Sequence, residues 1–516
     1  MNIMANISKS RFEIISLTCL LILILLIKFI PKLHSVSADE KLIVGSKTFT
    51  ESVILGEIVK QIASHHGIKV EYIRELGGTR VLWNALLKAD IDIYPEYTGT
   101  LIQEIFSDKD ISGFIQLKSE LSKMNIGISN PLGFNNTYIL GMKKTKAEKL
   151  GIGKTSDLSK YPDLRLGFSS EFIDRADGWT GLRRAYNLPQ THVKGLDHDL
   201  AYRGLDTGDI DVIDLYSTDA EIKYYDIRTI RDDKNYFPEY NAVYLYRKKY
   251  FDDKPELLKN ILLLENTISS KDMISMNSEV KINGKSDILV VSDYLESRLS
   301  IFTSPEHDSV IKRFKRNTVN HLVLVFISLF FAIMFAIPLG IMCWKFKNAG
   351  KIILSIVGVI QTIPSIALLV FMIPLLGIGF KPSIVALFLY SLLPIVRNTY
   401  SGLKDISVDI KESAEALGLP GAARLKLVEL PIASRSILSG IKTSAVINVG
   451  TATLAALIGA GGYGQPIFTG IRLDNIHLVL EGAIPAAILA LVVQGLFDLI
   501  ELIFVSKGLR LESKSE

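Results

Sequence analysis

Five long apolar runs fill the last two-fifths of this chain and constrain its fold more than any other feature. They are Val319–Trp344, Ile352–Leu376, Ser383–Ile395, Ile437–Ile458 and His477–Val505. A helix needs about 20 predominantly apolar residues to cross a bilayer, and each run is long enough, or nearly so. The runs therefore predict an all-α transmembrane domain over residues 318–516.

Basic residues in the loops between these runs predict the orientation of the domain. They lie after the first run (Lys345, Lys347, Lys351), after the third run (the charged segment 397–436) and after the fifth run (Lys507, Arg510, Lys514). Because cytoplasmic loops are enriched in Lys and Arg, odd-numbered runs should end inside the cell and the preceding domain should lie outside. The basic cluster at 312–316 is on the wrong side for this topology, but three loops and the N-terminus outweigh it.

The N-terminal residues 1–39 form a signal or anchor segment in this reading. Lys9 and Arg11 precede the apolar run Ile14–Ile30, a pattern inserted with its N-terminus inside. The run could be a retained transmembrane anchor, or a signal cleaved after the small residues of Val36–Ala38. Both alternatives put residue 40 onward outside the cytoplasm.

Residues 40–305 read as a soluble domain, followed by a linker at 306–317. The predicted strands and helices alternate, and Thr48 with Glu51 fits a capping box at the first helix. Strands are predicted at Lys41–Gly45, Lys69–Leu76, Ile91–Tyr94, Leu164–Phe168, Val212–Tyr216 and Ala242–Tyr246, and helices at Phe49–His66 and Arg80–Ala89. This alternation predicts an α/β domain with a largely parallel sheet and room for two lobes around a cleft.

Composition argues against several function classes. A net charge of +4 over 516 residues gives no electrostatic support for nucleic-acid binding. Cys19 and Cys343 lie in apolar runs, and the histidines show no metal spacing, so neither a metal nor a cofactor is predicted. The sequence Gly284–Ser286 lacks the earlier glycine of a phosphate loop, since Glu279 occupies that position. Any ATP hydrolysis must then come from another protein.

A motif after the third apolar run suggests where such a protein binds. Glu412–Gly418 reads ESAEALG, and Val428–Pro431 reads VELP. Together they resemble the EAA loop of ABC-importer permeases, with Ser413 for Ala and Val428 for Ile. The resemblance implies that the loop 412–431 docks on a separate ATPase subunit through Glu412, Ala414, Gly418, Leu430 and Pro431. The alternative is an ordinary amphipathic loop between two spans.

The residues of this loop also predict its local structure. Gly418 and Pro420 should end a short helix that begins at Glu412. A second short helix should run from Ala422 to Glu429 and stop at Pro431. Two short helices joined by a tight turn would form a rigid knob.

Stretches across residues 40–300 resemble, in the same order, the substrate-binding proteins of ABC importers for osmoprotectants and quaternary amines. This family serves glycine betaine, choline, carnitine and ergothioneine. The stretches are Gly45–Glu51, Gly77–Thr79, Tyr94–Thr100, Arg175–Trp179, Tyr216–Asp219, Asp232–Lys234 and Phe237–Tyr240. The resemblance implies a two-lobed periplasmic-binding-protein domain, type II-like, fused to a permease.

The resemblance also implies a tyrosine box for the ligand. A quaternary ammonium cannot donate a hydrogen bond, whereas each aromatic face attracts it by about 0.5–2 kcal/mol. The family's box positions match Tyr97, Tyr138, Tyr216 and Tyr240. The chain has 19 tyrosines, so a packing role is the alternative for each one. Tyr94 should pack, because strand alternation turns it away from Tyr97.

The carboxylate end of a betaine needs a cation and hydrogen-bond donors. The family's anion-binding positions match Lys47, Thr100 and Arg175, and Lys47 precedes a predicted helix N-terminus, which favours anions. Arg175 could instead pair with Asp177. Glu96 and Asp219 could be pocket groups or hydrogen-bond partners of loops.

These features together predict an ABC-importer subunit of the bacterial inner membrane that is not itself an enzyme. It would capture a betaine-type ligand, act as a homodimeric permease and be driven by two copies of an ATPase subunit. The main alternative is a membrane-anchored receptor for the same ligands. The EAA-like loop and the lack of an output domain argue against the receptor, and no hydrolase motif is present.

Overall fold

The computed structural model describes residues 41–175, 177–303, 309–473 and 475–505, so the predicted N-terminal segment and the basic C-terminal tail lie outside the described residues. The described chain divides into two compact units. Residues 41–303, with the short segment 471–473, belong to the first unit. Residues 309–470 and 476–505 belong to the second.

The first unit contains two five-stranded sheets, each the centre of one lobe. Lobe 1 has the strand order β2-β1-β3-β10-β4, and lobe 2 has the order β7-β6-β8-β5-β9. The strands are β1 Lys41–Gly45, β2 Lys69–Ile73, β3 Ile93–Tyr97, β4 Ile126–Ile128, β5 Tyr138–Lys143, β6 Leu166–Ser169, β7 Val193–Leu196, β8 Val212–Tyr216, β9 Ile227–Ile230 and β10 Ala242–Arg247. The chain crosses between the lobes twice, at residues 129–137 and 231–241.

The two crossings explain why the predicted largely parallel sheet is wrong. β1 pairs in parallel with β2 and β3, and β6 pairs in parallel with β7 and β8. The first strand after each crossing, β5 or β10, instead pairs antiparallel with both of its neighbours. A strand that enters from the other lobe is not held to the direction of a strand–helix–strand unit.

Helices surround both sheets. Those of the first unit are α1 Thr50–His65, α2 Thr79–Leu87, α3 Phe114–Lys123, α4 Lys144–Leu150, α5 Ser170–Asp174, α6 Trp179–Tyr186, α7 His198–Thr207, α8 Glu221–Tyr224, α9 Lys248–Asp252, α10 Pro255–Leu262, α11 Ser270–Lys281 and α12 Asp287–Leu299. Both α11 and α12 pack on α1, which is buried along most of its length. The predicted capping box is wrong: α1 begins at Thr50 after Phe49, without a side-chain cap.

In its described residues, the second unit contains helices and no strands. Its helices are α13 Val310–Lys345, α14 Lys347–Thr362, α15 Ser365–Leu376, α16 Phe380–Lys404, α17 Val408–Ala416, α18 Gly421–Arg424, α19 Leu430–Thr451, α20 Gly464–Arg472 and α21 Ile476–Phe504. Its core forms where α13, α16 and α19 pack together. The helix α13 already begins inside the segment predicted as a linker.

By length and composition, four helical segments of the described chain could cross a membrane: Val310–Lys345, Phe380–Lys404, Gly421–Ile458 and Ile476–Ile503. The predicted run Ile352–Leu376 is not one straight helix. It consists of α14 and α15, bent by 101° at a break before Ser365, and counting this pair as one span gives five. Pro364 explains the break, because proline disfavours the helical conformation of the residue before it, here Ile363.

Candidate ligand site and coupling loop

The four tyrosines predicted for the ligand box lie in one aromatic cluster. Tyr138 on β5 and Tyr216 on β8 are directly opposite strand partners, with ring centroids 5.2 Å apart. Tyr240 precedes β10, and its ring lies 5.6 Å from that of Tyr138. Phe49 joins Tyr97 to the cluster, with centroids 6.0 Å from Tyr97 and 5.6 Å from Tyr216. The cluster therefore takes rings from both lobes.

Further aromatic rings complete this cluster. Phe172 and Phe237 contact Tyr138 with ring centroids 5.2 Å and 6.0 Å away. Phe49 and Phe237 stand in stretches that the sequence singles out, so their presence could have been anticipated from the motifs. Phe172 had no such signal, because it is brought in by the packing of α5 on its sheet.

Tyr94 and Tyr97 separate as strand alternation requires. Both lie on β3 and both are buried, but three positions along a strand turn two side chains to opposite faces. Tyr97 contacts Phe49 in the cluster. Tyr94 is fully buried, and its packing role stays a prediction.

Lys47 lies beside Tyr97 but is already paired with a carboxylate. Its Nζ donates to Oε1 of Glu96 at 2.5 Å and to Oγ1 of Thr79 at 2.9 Å, and it lies 5.5 Å from the ring centroid of Tyr97. Glu96 also accepts a bond from the backbone N–H of Tyr97 at 2.9 Å. Lys47 and Glu96 are both buried, so this pair is part of the site's framework.

Arg175, like Lys47, is a buried cation that is already paired with carboxylates. Its Nε and Nη2 donate to the two oxygens of Asp177 at 2.8 Å and 2.7 Å, and its Nη1 donates to Glu104 at 3.2 Å. The guanidinium carbon lies 5.3 Å from the ring centroid of Tyr138 and 6.0 Å from that of Tyr240. The pairing with Asp177 that the sequence left open is therefore present.

Thr100 lies in a helical turn, Thr98–Thr100, directly after β3. Its side chain is buried, at 5% exposure. The neighbouring Gly99 lies under the ring of Tyr240, where an added Cβ would come within 2.6 Å of a ring carbon. Glycine at this position lets the turn approach the aromatic cluster closely.

The electrostatics of the cluster are set by these pairs. Two cationic side chains, Lys47 and Arg175, face three carboxyl groups, those of Glu96, Glu104 and Asp177. Burial raises the pKa of Glu104, while Arg175 and Lys47 oppose that rise. The cluster thus offers aromatic faces and an excess of carboxyl groups, a combination that suits a positively charged ligand.

The sequence assigned Glu51 to a helix cap and missed its place in this site. The side chain is 2% exposed, and its Oε1 accepts bonds from Tyr97 Oη at 2.5 Å and Asn136 Nδ2 at 2.9 Å. Its Oε2 accepts from Thr218 Oγ1 at 2.6 Å and Asn277 Nδ2 at 3.3 Å. Burial raises the pKa of Glu51 to about 7.

His198 is a second residue that the sequence missed. Its ring stacks on that of Tyr216 with centroids 4.3 Å apart, and its Nε2 lies 3.0 Å from Asp219. Asp219 also accepts bonds from the Tyr202 hydroxyl at 2.6 Å and the Tyr216 backbone N–H at 2.8 Å. Burial alone would lower the pKa of His198, but Asp219 and Asp214 raise it well above the usual value. Asp219 therefore fixes Tyr216 through the backbone of Tyr216 and through His198, whose ring stacks on the tyrosine ring.

In the second unit, the segment 412–431 contains two short helices joined by a turn, as predicted, but the first begins at Val408 instead of Glu412 and the second differs at its end. The helix α17 ends at Ala416, and Gly418 follows in the left-handed conformation with φ +76°, as a glycine stop requires. The predicted stop at Pro431 is wrong. From α18 the chain continues through a π-helical segment, Leu425–Glu429, into α19, whose first turn contains Pro431.

The residues predicted to contact an ATPase differ in exposure. Glu412, Gly418 and Pro431 are exposed, Leu430 is partly buried, and Ala414 is buried under the loop. Arg424 holds the turn together by ion pairs with Glu415 at 3.3 Å and with the buried Glu429 at 3.2 Å. Two large apolar side chains of the same segment remain exposed, Leu417 and Leu427, as do Val408 and Ile410 just before it.

Comparisons with known proteins divide the chain in the same way. Residues 40–297 match the family described as the substrate binding domain of ABC-type glycine betaine transport systems. Residues 332–504 match the inner membrane component of binding-protein-dependent transport systems. The chain thus joins the capture domain and the permease domain of an ABC importer.

The chain belongs to the family of glycine betaine-type ABC transport proteins. It is 44% identical over 176 residues to the choline transport system permease protein OpuBB of Bacillus subtilis, covering 34% of this chain and 81% of that protein. It is 33% identical over 263 residues to the ergothioneine transport permease/ergothioneine binding protein EgtU of Helicobacter pylori, covering 50% of this chain and 48% of that protein.

A crystal structure of a glycine betaine/carnitine/choline ABC transporter is also similar. It has 28% sequence identity and a TM-score of 0.45, and the match covers 51% of this chain and all of that one.

These matches confirm several predictions. The chain is a multi-pass inner-membrane transport component and not an enzyme, and the importer interpretation holds over the receptor. Membership of this family implies a separate ATPase subunit and a small-molecule substrate.

Proposed function

We propose that this chain captures a quaternary ammonium solute between the two lobes of its binding unit and carries it inward through its own permease unit. The candidate ligands are glycine betaine, carnitine, choline and ergothioneine, the kinds of solute named for its relatives. The observation that carries the proposal is the aromatic cluster around Tyr138, which gathers Tyr97, Tyr216 and Tyr240 from both lobes.

The chemistry of the cluster supports a methylated cation as the ligand. Several aromatic faces attract a quaternary nitrogen and exclude water, whereas a protonated amine would also need hydrogen-bond acceptors. In this proposal Lys47, Thr100 and Arg175 contact the far end of the ligand. A ligand carboxylate there would have to share Lys47 with Glu96, and Arg175 with Asp177 and Glu104.

For the transport step we infer a homodimer of the chain with two ATPase subunits. Five spans are half of what such importers use, so two permease units would form the pore. The ATPase would dock on the segment 412–431, where the exposed apolar side chains Leu417 and Leu427 could be covered. The binding unit would face the outside, with the basic loop at 345–351 in the cytoplasm. Arg313, in the cluster that disagrees with this orientation, pairs with Glu481 at 2.9 Å.

Titration calorimetry of the purified full-length chain against the four candidate ligands tests the proposal. Tyr97→Ala and Tyr216→Ala should each weaken binding of the ligand that binds wild type by about 2- to 30-fold, since one cation–π contact contributes about 0.5–2 kcal/mol. Tyr224→Ala is a matched control, because Tyr224 is 61% exposed and lies outside the cluster.

Two results would contradict the proposal at different points. If Tyr97→Ala and Tyr216→Ala both leave affinity unchanged, the aromatic site is wrong. If choline binds as tightly as the betaines, Lys47 and Arg175 do not read a ligand carboxylate, although the aromatic site would stand.

A further inference from the structure

Glu51 is a buried carboxylate that the binding of a cation to aromatic rings does not by itself require. It is the second residue of α1, in lobe 1, and none of its four hydrogen-bond donors is a cationic side chain. A buried carboxylate costs free energy unless it is both hydrogen-bonded and paired with a cation. A residue placed at such a cost in the ligand site suggests a role in the geometry of that site.

The four donors come from four different parts of the binding unit. Tyr97 ends β3 in lobe 1, and Asn136 lies in the first crossing between the lobes. Thr218 follows β8 in lobe 2, and Asn277 lies on α11, which packs on α1. Asn277 Nδ2 also donates to the backbone carbonyl of Thr218 at 3.0 Å. Glu51 therefore bonds to both lobes and to the segment that connects them.

The chemistry of the four donors matches an ionised carboxylate. The amide nitrogens of Asn136 and Asn277 can only donate, and a carboxylate can only accept. An amide at position 51 would turn its own N–H₂ toward the amide nitrogen of Asn136 or of Asn277, and two such donors cannot bond to each other. The bond from Thr218 Oγ1 to Glu51 Oε2, at 2.6 Å, joins lobe 2 to lobe 1 and would be lost if the lobes moved apart.

We propose that Glu51 is a positioning residue of the ligand site, which orients the phenol of Tyr97 and holds lobe 2 against lobe 1 through Thr218. The part concerning Tyr97 rests on the proposed function, in which this ring contacts the ligand. The part concerning the lobes does not, since it depends only on the bond between Glu51 and Thr218. The two parts can therefore fail separately.

The first measurement is the distance between the lobes in the full-length chain, in nanodiscs, by pulsed electron spin resonance. Spin labels at Ile115→Cys in lobe 1 and Tyr224→Cys in lobe 2 use positions that are 85% and 61% exposed, after Cys19 and Cys343 are replaced by alanine. Thr218→Val removes only the hydroxyl that donates to Glu51, and Glu51→Gln disrupts the matching acceptor by replacing one of its two carboxylate oxygens with an N–H₂ group. Both should increase the longer-distance population, without ligand and with saturating choline or glycine betaine.

Two variants separate this role from general damage to the fold. Thr218→Ser keeps the hydroxyl and should restore the wild-type distance distribution. Thr207→Val is the matched control, because the hydroxyl of Thr207 bonds within its own part of lobe 2 and should not affect closure. If Thr218→Val and Glu51→Gln both give the wild-type distribution, the proposal is wrong.

The second measurement is the affinity for choline and glycine betaine by calorimetry. Thr218→Val and Glu51→Gln should each weaken binding about tenfold or more, and the double variant should lose little beyond the worse single variant, because both changes remove the same bond. Fully additive losses would overturn the coupling. If wild type binds none of the four candidate ligands while the distances still shift, the proposed function fails and the lobe-holding role of Glu51 stands.

Discussion

Acidification should stabilise the binding unit against unfolding through Glu51. Burial raises the pKa of this carboxyl from its ordinary value of 4.5 to about 7, although the hydrogen bonds from Thr218, Tyr97 and Asn277 oppose that rise. Between these two values the folded state keeps a proton that the unfolded state has released. The free energy of unfolding therefore rises as the pH falls through this window, and it stops rising below about 4.5.

The size of the effect follows from the two pKa values. Each pH unit between them contributes about 1.4 kcal/mol, so ionising Glu51 in the folded state costs about 3 kcal/mol in total. Other groups of the binding unit also titrate: burial raises the pKa values of Asp92, Glu104 and Glu221. Only the difference between wild type and Glu51→Gln isolates Glu51.

Urea unfolding between pH 8 and pH 5, followed by tryptophan fluorescence, measures this difference. The chain has three tryptophans, and Trp344→Phe leaves only Trp83 and Trp179, both in the binding unit. Glu51→Gln will lower stability at every pH because it breaks hydrogen bonds, so the diagnostic is the slope with pH. On acidification, the free energy of unfolding of wild type should rise by up to about 1.2 kcal/mol per pH unit more than that of Glu51→Gln.

A matched control uses a partly exposed glutamate on α3, Glu120. Hydrogen bonds from Lys109 and Lys123 lower the pKa of Glu120 to about 2, so it stays ionised over this range and Glu120→Gln should leave the slope unchanged. If wild type and Glu51→Gln have the same slope, Glu51 is not a buried carboxyl with a raised pKa, and the reasoning is refuted.

Three further predictions concern packing and coupling. Gly99→Ala should displace the ring of Tyr240 and weaken ligand binding at least several-fold by calorimetry. Gly78→Ala, where the added Cβ meets nothing within 4 Å, should leave the affinity unchanged. Equal affinities of the two variants would contradict the close approach of Gly99 to Tyr240. Gly418→Ala should leave ligand binding intact but reduce ATP-driven uptake into proteoliposomes. A residue with a Cβ in the left-handed conformation of Gly418 costs about 1–2 kcal/mol, which would distort the turn of the loop 412–431. Uptake at the wild-type rate would contradict this prediction. Asn448→Ala should lower the stability of the permease unit in detergent by about 1–2 kcal/mol, since its amide links Ser391 and Ser328 at 3.0 Å each; an unchanged unfolding midpoint would contradict it.

Much of the fold follows from local sequence pattern. Strands such as Val212–Tyr216 combine apolar residues with turn signals on both sides, and the prediction gave the bounds that the structure has. Short or glycine-containing strands were missed. Val193–Leu196 reads VKGL and Tyr138–Lys143 reads YILGMK, and neither has a clear alternation or a β-branched run. These strands are stabilised by backbone hydrogen bonds to neighbouring strands that are distant in sequence.

Site residues that stand in sequence motifs could be predicted, whereas those that are placed by contacts distant in sequence could not. Tyr97, Tyr216 and Tyr240 stand in motif stretches, and the structure gathers them with Tyr138. Glu51 fits a capping box by spacing alone, yet the carboxylate turns into the protein, where donors distant in sequence satisfy it. The pairing of Lys47 with Glu96, 49 residues away, likewise has no local signal.

That pairing bears on which end of the ligand the site selects. Because Glu96 already neutralises Lys47, a ligand carboxylate gains less from Lys47 than it would from an unpaired cation. Glu96→Gln keeps an oxygen for the backbone N–H of Tyr97 but removes the charge. Glycine betaine should therefore gain on choline by at least about tenfold, since a hydrogen bond to a charged group contributes about 1.5–3 kcal/mol. Glu71→Gln, which affects only an exposed pair with Lys41, should leave the affinity ratio unchanged. A ratio that stays constant in Glu96→Gln would place the ligand's far end away from Lys47.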